Sequence, residues 1–187
     1  MRQQQVHCRP ERPGDHPAVR ELHLQAFGDH GPLVADLVDE LRTRVDAEQG
    51  TSLVAQTARG VVGHVVFTDA LLDAPRRLVT VRVLSPLAVL PAVQRQGIGR
   101  ALVAAGLQHE SVRAAPVVFL EGDPGYYSRL GFEPGGPHGF RKPSLRIPDA
   151  AFHAFLLPSH EAWMTGTLVH PDVFWRHDAV GLRDPGT

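Results

Sequence analysis

Hydrophobic positions along the chain follow two different periods. Residues 4–9 (QQVHCR) form a short run of strand type. After Asp15 the period lengthens. Val19, Leu22 and Ala26 recur at three- and four-residue intervals, which predicts an amphipathic helix. Asp15 suits its N-cap, and Pro17 falls in the first turn, where a missing N–H costs little. The stretch 27–32 (FGDHGP) breaks this pattern. Leu33, Leu37 and Leu41 then mark a second helix, with Asp36, Asp39 and Glu40 turned away.

From residue 52 the apolar residues cluster as in strands. Runs at 52–57 and 61–68 flank Ala-Arg-Gly, and Gly60 can adopt positive φ, so the pair predicts a hairpin. A longer run over 78–90 contains Ser-Pro at 85–86, and a proline without an N–H predicts a bulge or an end to pairing there. A helix is expected from the glycine turn at 97–99 to about Arg113, with Ile98, Leu102, Ala105 and Val112 on one face. A buried strand follows at 116–122, then one or two helical turns (DPGYYSRLGF) closed by Gly131. In that stretch Asp123 suits a cap and Pro124 the first helical position. A Gly/Pro-rich loop at 133–139 precedes two last strand candidates, AFHAFLL and TGTLVHP. The order is that of a mixed α/β domain. The single helical crossover between strands 78–90 and 116–121 requires these two to be parallel.

Composition narrows the function classes. The 187 residues are 43% hydrophobic, enough for one well-buried core, and the formal net charge is −1. A nucleic-acid binder would need a basic stripe, so nucleic acid is not an expected partner. No apolar run approaches the length of a membrane span, and the polar N-terminus does not resemble a signal peptide, so neither a membrane nor export is expected. The one cysteine, Cys8, cannot form an internal disulfide, which suits a reducing, cytoplasmic setting. A single domain over 1–174 and a flexible tail over 175–187 complete this organisation.

The stretch VLPAVQRQGIGRALVAAG (89–106) carries the chemistry. A strand leads through glycines into a helix, so several backbone N–H groups at the helix start have no intrahelical partner and favour an anion. Two nucleotide readings fail. A dinucleotide fingerprint needs a third glycine where Leu102 stands, and a P-loop needs a Gly-Lys pair that the chain lacks. What remains is Gln94-x-x-Gly97-x-Gly99, flanked by Arg95 and Arg100.

With its preceding strand, this motif resembles the acyl-CoA-binding motif of the GNAT-type N-acetyltransferase superfamily. VVFLEGDPGYYSRLGF resembles the companion motif, and SLVAQTARGVVGHVVF resembles the hairpin of a bacterial subgroup of predicted acetyltransferases. The resemblance covers about residues 4–170. It implies a GNAT-type α/β fold: a mixed sheet of about seven strands, with a splayed parallel pair (78–90 and 116–121) and about four helices. It also implies acetyl-CoA as co-substrate and no metal. Backbone groups of Leu87, Ala88 and Val89 would hold the pantetheine arm. The segment Gln94, Arg95, Gln96, Gly97, Ile98, Gly99 and Arg100 would hold the pyrophosphate.

In such enzymes an amine attacks the thioester directly, through a tetrahedral intermediate, and the thiolate leaves. The resemblance puts Tyr127 at the leaving sulfur, either as the acid or as a packing and hydrogen-bonding neighbour. The central strand lacks the glutamate that many relatives carry. That leaves Glu121 and His64 as candidate general bases, acting directly or through water. The acceptor would be a small-molecule or peptide amine, received by the first two helices, the 133–143 loop and the last strands. Many relatives are homodimers, so the resemblance extends to that assembly. A reading from another class is a non-catalytic acyl-CoA sensor that keeps the glycine turn and lacks the chemistry.

Overall fold

The computed structural model describes residues 6–181. In chain order its principal elements begin with β1 (His7–Pro10), α1 (His16–Phe27), α2 (Gly31–Asp46), β2 (Gly50–Thr57), β3 (Gly60–Asp73) and β4 (Leu78–Val89). They continue with α3 (Ile98–Gln108), α4 (Glu110–Arg113), β5 (Val117–Glu121), α5 (Pro124–Tyr127), β6 (Glu133–Pro134), β7 (Phe140–Arg141), β8 (Phe152–Leu156), β9 (Gly166–Val169) and α6 (Asp172–Arg176). The chain divides into two compact units that interleave along the sequence. One holds the residues up to Thr68 with Ser85–Val112, and the other holds Asp69–Leu84 with the chain from Arg113 onward. The strands pair in the order β1-β2-β3-β4-β5-β8-β6, with β9 beside both β3 and β7.

In the first unit β1, β2 and the start of β3 form an antiparallel ladder that aligns Cys8 with Ala55 and Val54 with His64. The hairpin closes at Gly60, whose φ of +112° suits glycine. Alternation turns every second residue to α1 and α2, where Val19, Val38 and Val54 form a fully buried cluster with Val61 against it. On α2 the inward positions are Gly31, Ala35, Val38 and Arg42 together with Leu37 and Leu41. That phase rotates Leu33, expected in the core, to 38% exposure. The other ladder face receives Ile98 and Leu102 of α3, which lie against the backbone of Gly63. The long helix expected to run to Arg113 is two pieces. His109 takes extended angles (φ −65°, ψ 135°) at the end of α3, and the short α4 follows it.

The second unit is built around β5. It runs parallel to β4 at Arg82↔Val118 and Val83↔Phe119 and antiparallel to β8 from Val117↔Leu156 to Glu121↔Phe152. Phe119 anchors the interior, with the Phe140 ring edge-on at 4.8 Å and the Phe152 ring stacked at 5.6 Å. The Gly/Pro-rich loop contains two strands too short to show a period: β6 pairs with β8, and β7 runs parallel to β9. Pro86 does not end β4, which continues to Val89 with a cis Ser85–Pro86 bond. Part of the segment expected as a flexible tail over 175–187 packs in the fold. Val180 is buried, and Asp178 pairs with Arg146 at 3.0 Å. Residues 182–187 of that tail lie outside the described residues.

Gly106 is the tightest point of the α3 packing. A Cβ there would stand 2.1 Å from the ring of Phe67, which is itself fully buried and has no room to swing away. Alanine is the better helix former by about 1 kcal/mol, but overpacking a closed core costs about 1–3 kcal/mol. Gly106→Ala should therefore lower the midpoint of urea unfolding, despite its better helix propensity. An unchanged or raised midpoint would contradict this packing.

Candidate functional site

The first group of candidate residues lies where β4 gives way to α3. After a single helical turn at Pro91–Val93, Gln94 returns to extended angles and its side-chain amide donates to the Val89 carbonyl at 3.0 Å. This bond ties the turn to the end of the strand. Arg95 (φ +59°) and Gly97 (φ +86°) are both left-handed, and Gly97 is the N-cap of α3. Nothing lies within 4 Å of where a Gly97 Cβ would point. The N–H groups of Ile98, Gly99 and Arg100 open the helix and have no partner from a preceding turn. The helix dipole adds partial positive charge at the same end. Gln94, Arg95, Gln96, Gly97 and Arg100 are exposed, Ile98 is buried and Gly99 is half-buried. At the strand end Ala88 is buried, while Leu87 and Val89 are half-buried. The sequence thus leaves an open helix start at Gly97, with no side chain over its first backbone N–H groups.

The second group belongs to the other unit and follows β5. Asp123 accepts a hydrogen bond from the Gly125 N–H at 2.8 Å and starts the turn that carries Tyr126 and Tyr127. Gly131 stops the turn in left-handed geometry. The Tyr127 ring lies against Gly122, where a Cβ would come within 2.3 Å of it. It also packs edge-on to Phe132 at 5.8 Å, with the ring of the buried His153 at 6.4 Å. Burial raises the Tyr127 phenol above its ordinary value, and the neighbouring Tyr126 adds to the rise. The phenol therefore keeps its proton at any working pH.

Glu121 ends β5. Its carboxylate accepts from the Gly181 N–H at 3.1 Å. The residue retains solvent exposure, yet partial burial lifts its carboxyl above the ordinary range, against the opposing pull of that N–H and of Arg146. Through the ladder it stands opposite Phe152.

His64 is placed differently. It is fully buried in the first unit, and protein groups occupy both ring nitrogens. Its Nδ1 meets His23 Nε2 at 2.8 Å, and its Nε2 meets Ser52 Oγ at 2.8 Å. Ser52 in turn donates to Glu11 at 2.6 Å, and Arg42 donates to the other oxygen of Glu11 at 2.9 Å. Burial lowers the basicity of His64. Burial, with the neighbouring His64 and Arg42, brings His23 down to about 3. Burial alone would raise Glu11, but hydrogen bonds from His64, Arg42 and Ser52 prevail and hold it at about 2. Both histidines are neutral and the carboxylate is ionised. His64 has no atom open to a ligand, and its partners were not foreseen from sequence. Strand alternation does place Ser52 on the face of Val54, which pairs with His64, but Glu11 and Arg42 arrive from other elements.

A cavity of about 510 Å³ opens in the second unit. It is lined by Pro134, Pro137, Phe140, Leu145 and Phe152, with Arg141, Lys142, Asp149 and Thr167 among its polar members. It includes the 133–143 loop and last-strand residues expected to receive an acceptor. Among the described residues no group of three or more His, Cys, Asp or Glu side chains is placed to hold a metal ion. Nor is any helix there long and apolar enough to cross a membrane.

Comparison with known proteins gives a consistent picture. The family model of the acetyltransferase (GNAT) domain matches residues 48–134. The uncharacterized N-acetyltransferase YjhQ of Escherichia coli K12 is 36% identical over 126 residues, covering 67% of this chain and 68% of that protein. The crystal structure of the GNAT family N-acetyltransferase YhbS from E. coli, in complex with CoA, superposes with a TM-score of 0.78 at 30% identity, covering 92% of this chain and 93% of the other. A GNAT family acetyltransferase from Brucella melitensis, in complex with acetyl-CoA, superposes with a TM-score of 0.69 at 29% identity over 91% and 99% of the two chains.

The buried network has a pH signature. In the unfolded chain His23 and His64 take up protons below about pH 6.5, whereas in the folded chain they stay neutral well below that. Their contribution to stability is therefore complete above pH 6.5 and is lost as the pH falls toward the depressed folded values. The urea midpoint should decline from pH 7 to pH 4, and less steeply in His23→Gln, which has no proton to gain at that position. At pH 7, Glu11→Gln should cost about 3 kcal/mol, because it strips a buried partner from Arg42. A flat pH profile in the wild type would contradict the network.

Proposed function

The chain belongs to the GNAT family of acetyltransferases, and on that premise we propose that it moves an acetyl group from acetyl-CoA to the primary amine of a small molecule. The carrying observation is the left-handed Gly97 at the start of α3, with open space where a side chain would stand and three N–H groups without helical partners behind it. A pyrophosphate fits such a cradle, and Arg95 and Arg100 add charge at its rim. Leu87, Ala88 and Val89 at the end of β4 are the stretch we assign to the pantetheine arm. The complexes of YhbS with CoA and of the B. melitensis enzyme with acetyl-CoA support this donor. The lone Cys8 and the lack of a membrane-spanning helix among the described residues are compatible with a cytoplasmic enzyme.

Glu121 is the base in this scheme, because it keeps solvent access and a raised carboxyl, while His64 is sealed inside the first unit. An ammonium acceptor first loses one proton to solvent. The free amine then attacks the thioester carbonyl to give a tetrahedral intermediate, and Glu121 takes the second nitrogen-bound proton. Tyr127 donates its phenolic hydrogen to the sulfur as the carbon–sulfur bond breaks, and solvent returns the Glu121 proton to the phenolate. The products are an amide and a neutral thiol, so all protons are accounted for. Burial keeps the phenol in its acid form beside the departing sulfur, and a carboxyl raised above its ordinary value is the stronger base.

Three substitutions test these roles by thiol release and calorimetry. Tyr127→Phe should lower kcat about 100-fold and leave the CoA dissociation constant within about twofold. Glu121→Gln should lower kcat/KM and flatten its acid limb, since the wild-type carboxyl loses its base function as the pH falls through its raised value. Gly97→Val should weaken CoA binding at least about tenfold, because a branched side chain both opposes positive φ and fills the cradle. Undiminished CoA affinity in Gly97→Val would remove the pyrophosphate assignment. Tight CoA binding with no turnover on any amine would instead mark a non-catalytic acyl-CoA sensor.

A further inference from the structure

We propose that the acceptor is an amino acid with an aromatic or large aliphatic side chain, its carboxylate held by Arg141 and its side chain lodged in the cavity between β7 and β8. The inference rests on reading the chain as an N-acetyltransferase and narrows its substrate.

The cavity has the volume of a small-ligand site. Its walls are rigid as well as apolar, because Phe140 and Phe152 are both clamped on Phe119. Leu145 stands at the cavity with 94% of its surface exposed, an apolar side chain with no protein cover.

The two cations at the cavity are not equivalent. Lys142 is already satisfied: its ammonium donates to the Ile147 carbonyl at 2.5 Å and pairs with Asp149 at 2.6 Å. Arg141 has no carboxylate partner among the described residues. Its Nε donates to Thr167 Oγ1 at 2.9 Å, across the parallel β7–β9 pair that sets Arg141 beside Thr167. That bond orients the guanidinium and leaves its two terminal nitrogens for a ligand. Their forked geometry matches a carboxylate better than any other common group.

With Lys142 and Asp149 cancelling, the lining carries one net positive charge. Such a site favours an acceptor with an anionic group and opposes one with several amines, such as a polyamine. Glu121, the base of the proposed reaction, pairs across the β5–β8 ladder with Phe152, which lines the cavity.

The test compares L-phenylalanine, L-phenylalaninamide and phenethylamine, with rates expressed per unprotonated amine. In the wild type, kcat/KM for L-phenylalanine should exceed that for the amide and for phenethylamine by about tenfold or more, the usual weight of a charged hydrogen-bonded pair. Arg141→Gln should bring those ratios to about one, through KM rather than kcat, and Arg141→Lys should recover part of the preference. Calorimetry on the CoA-loaded protein provides a readout that does not need turnover. N-acetyl-L-phenylalanine should bind about tenfold more tightly than N-acetylphenethylamine, and Arg141→Gln should abolish the difference. Equal use of all three amines, or a carboxylate preference that survives Arg141→Gln, overturns the proposal while leaving the acetyltransferase reading in place. Carboxylate-dependent binding without acetylation of any amine supports the site and overturns the catalytic reading instead.

Discussion

A parallel pair of strands cannot be joined by a tight turn, and this constraint shapes most of the candidate site. β4 and β5 are parallel, so the chain must leave the end of β4, cross over as a helix and return to start β5. The crossover helix therefore begins beside a strand terminus, and its first N–H groups emerge where the backbone has just stopped pairing. The left-handed Gly97 makes that entry possible in a single step and leaves no side chain over the amides. The same constraint acts at the far end. The chain leaving β5 must turn sharply, and the Asp123-capped turn places Tyr127 against Gly122. The glycine turn and the Tyr127 turn thus both follow directly from strand ends.

The chain uses its buried polar groups in two distinct ways. Around His64 the groups are closed off from solvent: Arg42, Glu11, Ser52, His64 and His23 form a continuous chain of hydrogen bonds, although the buried His23 Nδ1 has no partner among the described residues. Such a network is costly to break and has little freedom to react. Around β5 the arrangement is open. Glu121 and Tyr127 have shifted proton affinities and few competing partners, and Arg141 presents an unpaired fork at a cavity. A histidine with a near-neutral intrinsic pKa is the usual suspect for proton transfer. In this fold His64 is sealed among protein partners, whereas Glu121 at the end of β5 keeps solvent access.

The cavity owes its shape to elements with little order of their own. β6 and β7 are two residues each, and neither could exist without the longer strands beside them. Glycine supplies the close approaches: at Gly135 a Cβ would meet the Phe152 ring at 2.6 Å, and Gly139 takes a φ of +77° just before β7. These contacts hold the loop against β8 and β9, so that Phe140 and Arg141 project from a fixed ladder and not from a free loop.

Much of this could be read in the linear sequence. The helix and strand periods, the hairpin at Gly60, the Asp123 cap and the glycine turn before α3 are local features. Each is dictated by backbone sterics and by hydrogen bonds between near neighbours. The family resemblance rested on those same local motifs. What sequence could not decide depended on which side chains meet from distant segments. It could not say that His64 would be sealed by Glu11 and Arg42, that Leu33 would be rotated to solvent, or that α3 would end at His109. Nor could it separate Lys142, consumed by Asp149, from Arg141, left with an open guanidinium. Those outcomes follow from packing and from the pairing of charges in three dimensions. A linear pattern records which residues are apolar or charged, but only the folded chain determines which of them find a partner.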